Sequence, residues 1–353
     1  MSENRSAGGA GSAPTALAAV DNCTSALARS WVPIALAEEI TEVPCRVEVF
    51  GEPWVAARLS AGEVFIARDR CPHRLAPLSL GCVRAGLLQC RYHGWEFGAD
   101  GVCVRVPSAP VEVSIPSRAR ASMPFAVREH VGLVWIAVEE PMDELPPLPE
   151  WHLDGFDQIL AAPRRTSAGA AQLVDNFVDV AHFATVHVTT FGVPESAEVP
   201  PSEVTTAGLS ARTTYTTWYL NEDDPLTATG EHPLVQPHIV EKTVYAPYCV
   251  YMRLSFPLTS QIFAILYAMQ PETAGSTRIF KVMARNDFGG DGDKIAAMLA
   301  FEDRVLDEDI AVLESFADPL VHLDLTTEVH TRADRLSLAY RRLLIKMASG
   351  PAV

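Results

Sequence analysis

The chain has 353 residues and a formal net charge of −16, with no basic block. That charge makes nucleic acid and anionic membrane poor partners, and no apolar run nears the ~20 residues needed to span a bilayer. The length suffices for two domains with cores of their own. The N-terminus is small and polar to about Leu17, without the positive start and apolar stretch of a secretory signal. A disordered tail over residues 1–27 and a cytoplasmic location are therefore expected. Seven cysteines in that setting read as metal ligands or buried hydrophobes rather than disulfides.

Residues 28–140 read as a first domain. Short apolar runs at Arg46–Phe50, Pro53–Ala57, Val64–Ala67 and Leu133–Val138 alternate with Gly, Pro and Asp turns. This pattern predicts a small antiparallel β domain. Within it lie Cys71-Pro-His73 and Cys90-Arg-Tyr-His93-Gly-Trp95. Two thiolates and two imidazoles suit tetrahedral zinc. They also suit a Rieske [2Fe–2S] cluster, in which two histidines replace two cysteines on one iron. Zinc sites more often group like ligands together. Here each loop mixes one of each kind, which favours two irons with different ligands. Gly94 permits close backbone approach and Trp95 can cover the cluster. Cys23, Cys45, Cys82, Cys103 and Cys249 read as buried or incidental.

Residues 141–353 read as a second domain, entered through the proline- and acid-rich stretch 141–151. Then comes Asp175-Asn-Phe-Val-Asp-Val-Ala-His-Phe-Ala-Thr-Val-His187. Asn176, Asp179 and His182 recur every three residues, which on a helix puts them on one face. His187 is five residues beyond His182, so both reach one metal only if the helix bends, bulges or ends between them. Two imidazoles and one carboxylate would form the facial triad of non-haem iron(II) oxygenases. Strand-like runs at Ala211–Leu220, His238–Pro247, Tyr248–Phe256, Gln261–Met269 and Thr277–Arg285 predict an antiparallel sheet of five or more strands.

A long helix is expected over about Asp293–Phe316. Its apolar stripe runs through Ile295, Met298, Val305, Leu306, Leu313 and Phe316. Asp309 falls in the middle of that stripe, and an ionised carboxylate facing a core needs a partner or a metal. Asp309 is thus the expected third iron ligand, with Glu302 the runner-up. Glu328–Leu344 reads as an amphipathic packing helix with a basic outer face.

The segments Cys71–Gly81, Leu88–Phe97 and Gly101–Val104, with Asp175–His187 and Asp307–Ser315, resemble the aromatic-ring-hydroxylating Rieske oxygenases. They are most similar to the oxidative demethylase branch (vanillate, dicamba and methylxanthine demethylases). The resemblance covers nearly all of the chain after residue 27. It implies an α+β architecture: an antiparallel β Rieske domain, then a helix-grip catalytic domain with an antiparallel sheet and a long helix. It implies that Cys71 and Cys90 bind one cluster iron and His73 and His93 the other. His182, His187 and Asp309 would hold a mononuclear Fe(II) that activates O2. The matching Asp179, beside Asn176, would bridge His182 to His93 of a neighbouring subunit, in a homotrimer.

The expected reaction is hydroxylation, or oxidative N- or O-demethylation, of a small aromatic or heterocyclic compound. Ring dihydroxylation and natural-product tailoring occur on the same scaffold, and a Rieske electron carrier without oxygen chemistry is the reading from another class. The chain shows no Gly-rich dinucleotide loop and no ferredoxin-type cysteine cluster. Electrons from NAD(P)H are therefore expected through a separate reductase and, where one serves, a ferredoxin. Tyr251, Phe263, Ile265 and Phe280 are candidate pocket residues, with the inward face undetermined.

Overall fold

The computed structural model describes residues 17–59, 62–110, 112–221 and 224–349. Most of the expected N-terminal tail, residues 1–16, lies outside these. Residues 17–27 do not behave as a tail. Ala19–Val20 pairs antiparallel with Val321–His322, and Val20 and Leu27 are buried. The Asn22 amide donates to Thr273 O, Ser276 O and Thr277 Oγ1 and accepts from Ala170 N. Composition up to Leu17 carried the expectation of disorder, and it does not extend to these anchoring side chains.

The first half is all antiparallel. The strands Cys45–Val49, Glu52–Arg58 and Val64–Arg68 form one sheet. Ala126–His130, Leu133–Ala137 and Trp31–Leu36 form a second. Four short strands, from Cys82–Arg84 to Cys103–Arg105, carry the loops at Cys71 and Cys90. These loops share a small core with Phe65, Leu78, Leu88 and Phe97.

The second half is an eight-stranded antiparallel sheet. Its five long strands, Ser210–Leu220, Val235–Tyr245, Cys249–Phe256, Gln261–Thr273 and Ser276–Arg285, pair in chain order. Period-two alternation sorts their side chains onto two faces. On Gln261–Thr273, Phe263, Ile265, Tyr267 and Met269 join the core beneath the helices, and Ala264, Leu266 and Ala268 join a second cluster with Leu36 and Trp135. Both faces are therefore covered, and the first half of the chain covers one of them. Three hydrogen bonds fasten the same strand to the first half: Phe50 N to Pro271 O, Gly51 N to Glu272 O and Gln270 Nε2 to Glu48 O, each 2.8 Å.

Among the described residues, five α-helices complete the fold. They are α1 (Ala170–Val178), α2 (Phe183–Val186), α3 (Pro225–Thr229), α4 (Gly292–Leu313) and α5 (Arg335–Ala348). Asp291 caps α4 by accepting from Asp293 N and Lys294 N. Met298, Val305, Leu306 and Leu313 are buried as the stripe predicts, but Phe316 lies beyond the helix end and is exposed. The final helix starts at Arg335, seven residues later than expected. Nor is its basic side wholly outward. Arg341 is buried and paired with Asp175 and Glu328 at 2.7 and 2.9 Å, which fastens α5 to α1. Among the described residues no helix is long and apolar enough to cross a membrane.

Replacing Asn22 with Ala strands the buried Ala170 N–H and three acceptors. The expected loss is ~2–3 kcal/mol, read as a lower midpoint in urea denaturation.

Candidate metal centre and cluster site

The chain between α1 and α2 makes the candidate metal centre possible, in a way the sequence did not show. α1 ends at Val178, and Asp179 is extended (φ −69°, ψ 153°). The break therefore comes before His182, not between the two histidines. Asn176, Asp179 and His182 do not share a helix face, because only Asn176 is helical. His182 and His187 flank the single turn of α2 at its two ends, which turns both rings inward. Asp179 caps that turn, its carboxylate accepting from Ala181 N at 3.2 Å and His182 N at 3.0 Å. Gly192 seals the far end. Its N–H donates to His187 O at 2.7 Å, and a Cβ there would sit 2.3 Å from Phe183 O.

His182, His187 and Asp309 come together with ligand atoms within 4.8 Å of one another. Each imidazole is held from behind. His182 Nδ1 is 2.7 Å from Asp179 Oδ2, and His187 Nδ1 is 2.8 Å from Glu308 Oε2. A carboxylate at Nδ1 keeps the proton there and leaves the Nε2 lone pair facing inward. The two Nε2 atoms lie 3.4 and 3.3 Å from Asp309 Oδ1. Among the described residues, that buried oxygen accepts no hydrogen bond. Two lone pairs and an orphaned carboxylate oxygen aimed at one point fit a divalent metal of the two-histidine, one-carboxylate kind.

The electrostatics agree. Burial would raise the Asp179 carboxyl, but hydrogen bonds from the His182 ring and from the His182 and Ala181 amides hold it at about 2. Burial opposes a charge on His182, yet Asp179 and Asp309 together raise its pKa. Metal binding at this centre therefore competes with protonation of His182.

Glu308 is the functional residue that sequence reasoning missed. It accepts from His187, Thr189 and Thr190, and these bonds outweigh burial to lower its pKa. The available signal was its place one residue before Asp309, about a quarter-turn away on the same helix. Glu302 is not part of the centre. It is buried against Lys281, 3.2 Å from Nζ, and Tyr267. Asn176 stands in the last turn of α1, where its carbonyl accepts from Asp179 N and its buried Nδ2 has no hydrogen-bond partner among the described residues. Lys242, fully buried, donates to Phe177 O and Asp179 O at 2.8 and 2.7 Å and so holds the break open. Burial lowers its pKa to about 8.

His182, His187 and Asp309 line one wall of a cavity of about 590 Å³ between α4 and the sheet. Phe263 and Ile265 line it as expected. Tyr251 and Phe280 do not, because they point from the opposite face of the sheet.

The second site lies on two loops built alike. Leu75 N donates to Cys71 O, and Gly94 N donates to Cys90 O, both at 2.9 Å. The residue four places after each cysteine is left-handed, Leu75 at φ 61° and Gly94 at φ 71°. Cys71 and Cys90 are buried. Burial pushes the Cys71 thiol up to about 12, with Cys90 adding to the shift, so a thiolate there needs a metal. His73 and His93 are exposed, with their Nδ1 atoms 3.1 Å apart. Trp95 stacks on His73 at 4.6 Å. Two buried sulfurs and two converging imidazole nitrogens fit a Rieske cluster.

Residues 30–117 match the model of the Rieske [2Fe–2S] domain, and residues 166–350 that of the vanillate O-demethylase oxygenase C-terminal domain. The chain belongs to the Rieske non-haem iron oxygenases of the vanillate O-demethylase type, as an oxygenase (alpha) subunit. Its family cofactors are a Rieske cluster and a mononuclear iron. The methylxanthine N1-demethylase of Pseudomonas putida is 29% identical over 323 residues, 89% of this chain and 87% of that one. The N3-demethylase of the same organism is 28% identical over 88% of this chain and 87% of that one. The N1-demethylase structure with caffeine superposes with a TM-score of 0.77 at 28% identity, over 91% of each chain. Dicamba monooxygenase bound to dicamba shares the fold, with a TM-score of 0.76 at 21% identity over 92% and 98%.

Glu308→Gln should weaken iron binding roughly 10- to 100-fold while leaving the cluster's absorption spectrum unchanged. Iron titration followed by metal analysis reads this.

Proposed function

We propose that this chain is the oxygenase component of a Rieske monooxygenase. It hydroxylates a small aromatic or heterocyclic compound, or oxidises an N- or O-methyl group so that the methyl leaves as formaldehyde. The observation that carries the reading is the convergence of His182 Nε2, His187 Nε2 and Asp309 Oδ1 on the wall of a large cavity. On this reading those three residues hold the mononuclear iron. Cys71 and Cys90 hold one cluster iron, and His73 and His93 the other. Iron held by these residues would supply O2 activation for a monooxygenation that consumes two electrons and two protons, one oxygen entering substrate and the other leaving as water.

The chain's own residues have separate tasks. Asp179 and Glu308 fix the tautomer and direction of the two imidazoles. Phe263, Ile265 and Met252 line the cavity and exclude water. Asp179 is partly exposed, as are the two cluster histidines. This favours the arrangement in which Asp179 joins His182 to His93 of a neighbouring subunit, within a homotrimer. Asn176 supports Asp179 through its carbonyl. Electrons come from NAD(P)H through a separate reductase, directly or by way of a ferredoxin. The two methylxanthine demethylases that align over most of the chain favour demethylation over ring dihydroxylation.

Metal and sulfide analysis with EPR of anaerobically purified protein should give three irons and two sulfides per chain, with a rhombic Rieske signal on reduction. His182→Ala should give two irons and keep that signal. Two irons in the unaltered protein after iron supplementation would replace this reading with that of an electron carrier. Zinc without sulfide would end it.

A further inference from the structure

The cavity wall opposite α4 carries a row of three side chains on three neighbouring strands. Ile239 pairs with Ser255, which sets His238 beside Phe256, their rings 5.7 Å apart and 24° from parallel. Phe256 pairs in turn with Gln261. All three line the cavity. Phe256 thus lies between two polar groups, and both are unusual. His238 is 4% exposed, and among the described residues neither its Nδ1 nor Gln261 Oε1, both buried, has a hydrogen-bond partner. Buried polar atoms are almost always paired. Two orphans flanking one aromatic ring mark where the polar edges of a ligand belong.

Charge narrows the choice of ligand. Burial pushes the His238 pKa down to about 4, so the ring is neutral. The buried cations that line the cavity are already engaged, Lys242 by two carbonyls and Arg285 by Asp287. Lys294 and Arg304 also line the cavity, but from exposed positions of α4, on the wall opposite this row. A carboxylate laid on this row would meet the Gln261 carbonyl oxygen and a neutral imidazole.

We propose that His238, Phe256 and Gln261 form the substrate-recognition face, and that the substrate is an uncharged, planar heteroaromatic with hydrogen-bonding groups on two edges. The ring lies on Phe256. An N–H on one edge donates to Gln261 Oε1, and a polar group on the other edge meets His238 Nδ1. This rests on the cavity being the oxygenase's substrate pocket. A site built to bond polar edges rejects an isostere that lacks them far more strongly than an apolar slot discriminates by shape.

The test is isothermal calorimetry on cluster- and iron-loaded protein with three flat bicyclic probes: quinazoline-2,4-dione, naphthalene and naphthalene-2-carboxylate. The dione should bind roughly 10-fold or more tighter than either of the others. In the Gln261→Leu, His238→Phe double variant the preference over naphthalene should vanish or reverse. Equal binding of dione and naphthalene, tightest binding of the carboxylate, or a ratio unchanged in the variant would each overturn the proposal. If the double variant fails to fold, the wild-type series decides alone. Calorimetry needs no turnover, so a failed iron count, which sinks the oxygenase reading, leaves these ratios measurable.

Discussion

Two hydrogen bonds organise the candidate metal centre, Asp179 to His182 Nδ1 and Glu308 to His187 Nδ1. Imidazole has two nitrogens of similar basicity, and a ring free to choose its tautomer is a poor ligand half of the time. A carboxylate behind each ring removes the choice and raises the basicity of the nitrogen that faces inward. The cluster loops present the other nitrogen, with the Nδ1 atoms of His73 and His93 turned toward each other. The same residue type thus offers different atoms to the two candidate metal sites. What stands behind each ring decides which.

Those bonds in turn rely on the interruption between α1 and α2. A continuous helix would rotate His187 well away from His182. Ending α1 at Val178 spends backbone hydrogen bonds, and the carbonyls it exposes are met by the Lys242 ammonium. A cation at a helix C-terminus is favourable on dipole grounds as well. Gly192 then lets the following loop close on the His187 carbonyl, at a distance no side chain would permit. A buried lysine, a cap and a glycine, dispersed over more than sixty residues, specify one short bend.

Much of this was legible in the sequence, and the limits have physical reasons. Asp309 could be read because a carboxylate in an apolar stripe has few explanations, and helical periodicity carries that information. The five long strands and the paired Cys–His loops were legible from local pattern. Glu308 was not, because its role depends on a loop that returns from more than a hundred residues away. The position of the helix break was not, because Asp179-Val-Ala-His182 has ordinary helix propensity and tertiary contacts override it. Tyr251 and Phe280 were placed with Phe263 because alternation fixes relative faces within a strand, not which face of the sheet the helices cover. Residues 17–27 looked like tail because the side chains that anchor them, such as Asn22, have partners remote in sequence.

The strand Gln261–Thr273 also bears on how separable the two halves are. The proline-rich stretch 141–151 is where the chain crosses from one to the other, but the seam is elsewhere. It runs where residues 48–51 hydrogen-bond 270–272 and where Leu36 and Trp135 pack on Leu266 and Ala268. The halves are therefore fused through a common core rather than tethered like beads. A chimaera that exchanged the cluster-bearing half with that of a relative at the linker would inherit a mismatched seam. A graft that works has to carry both sides of that seam with it.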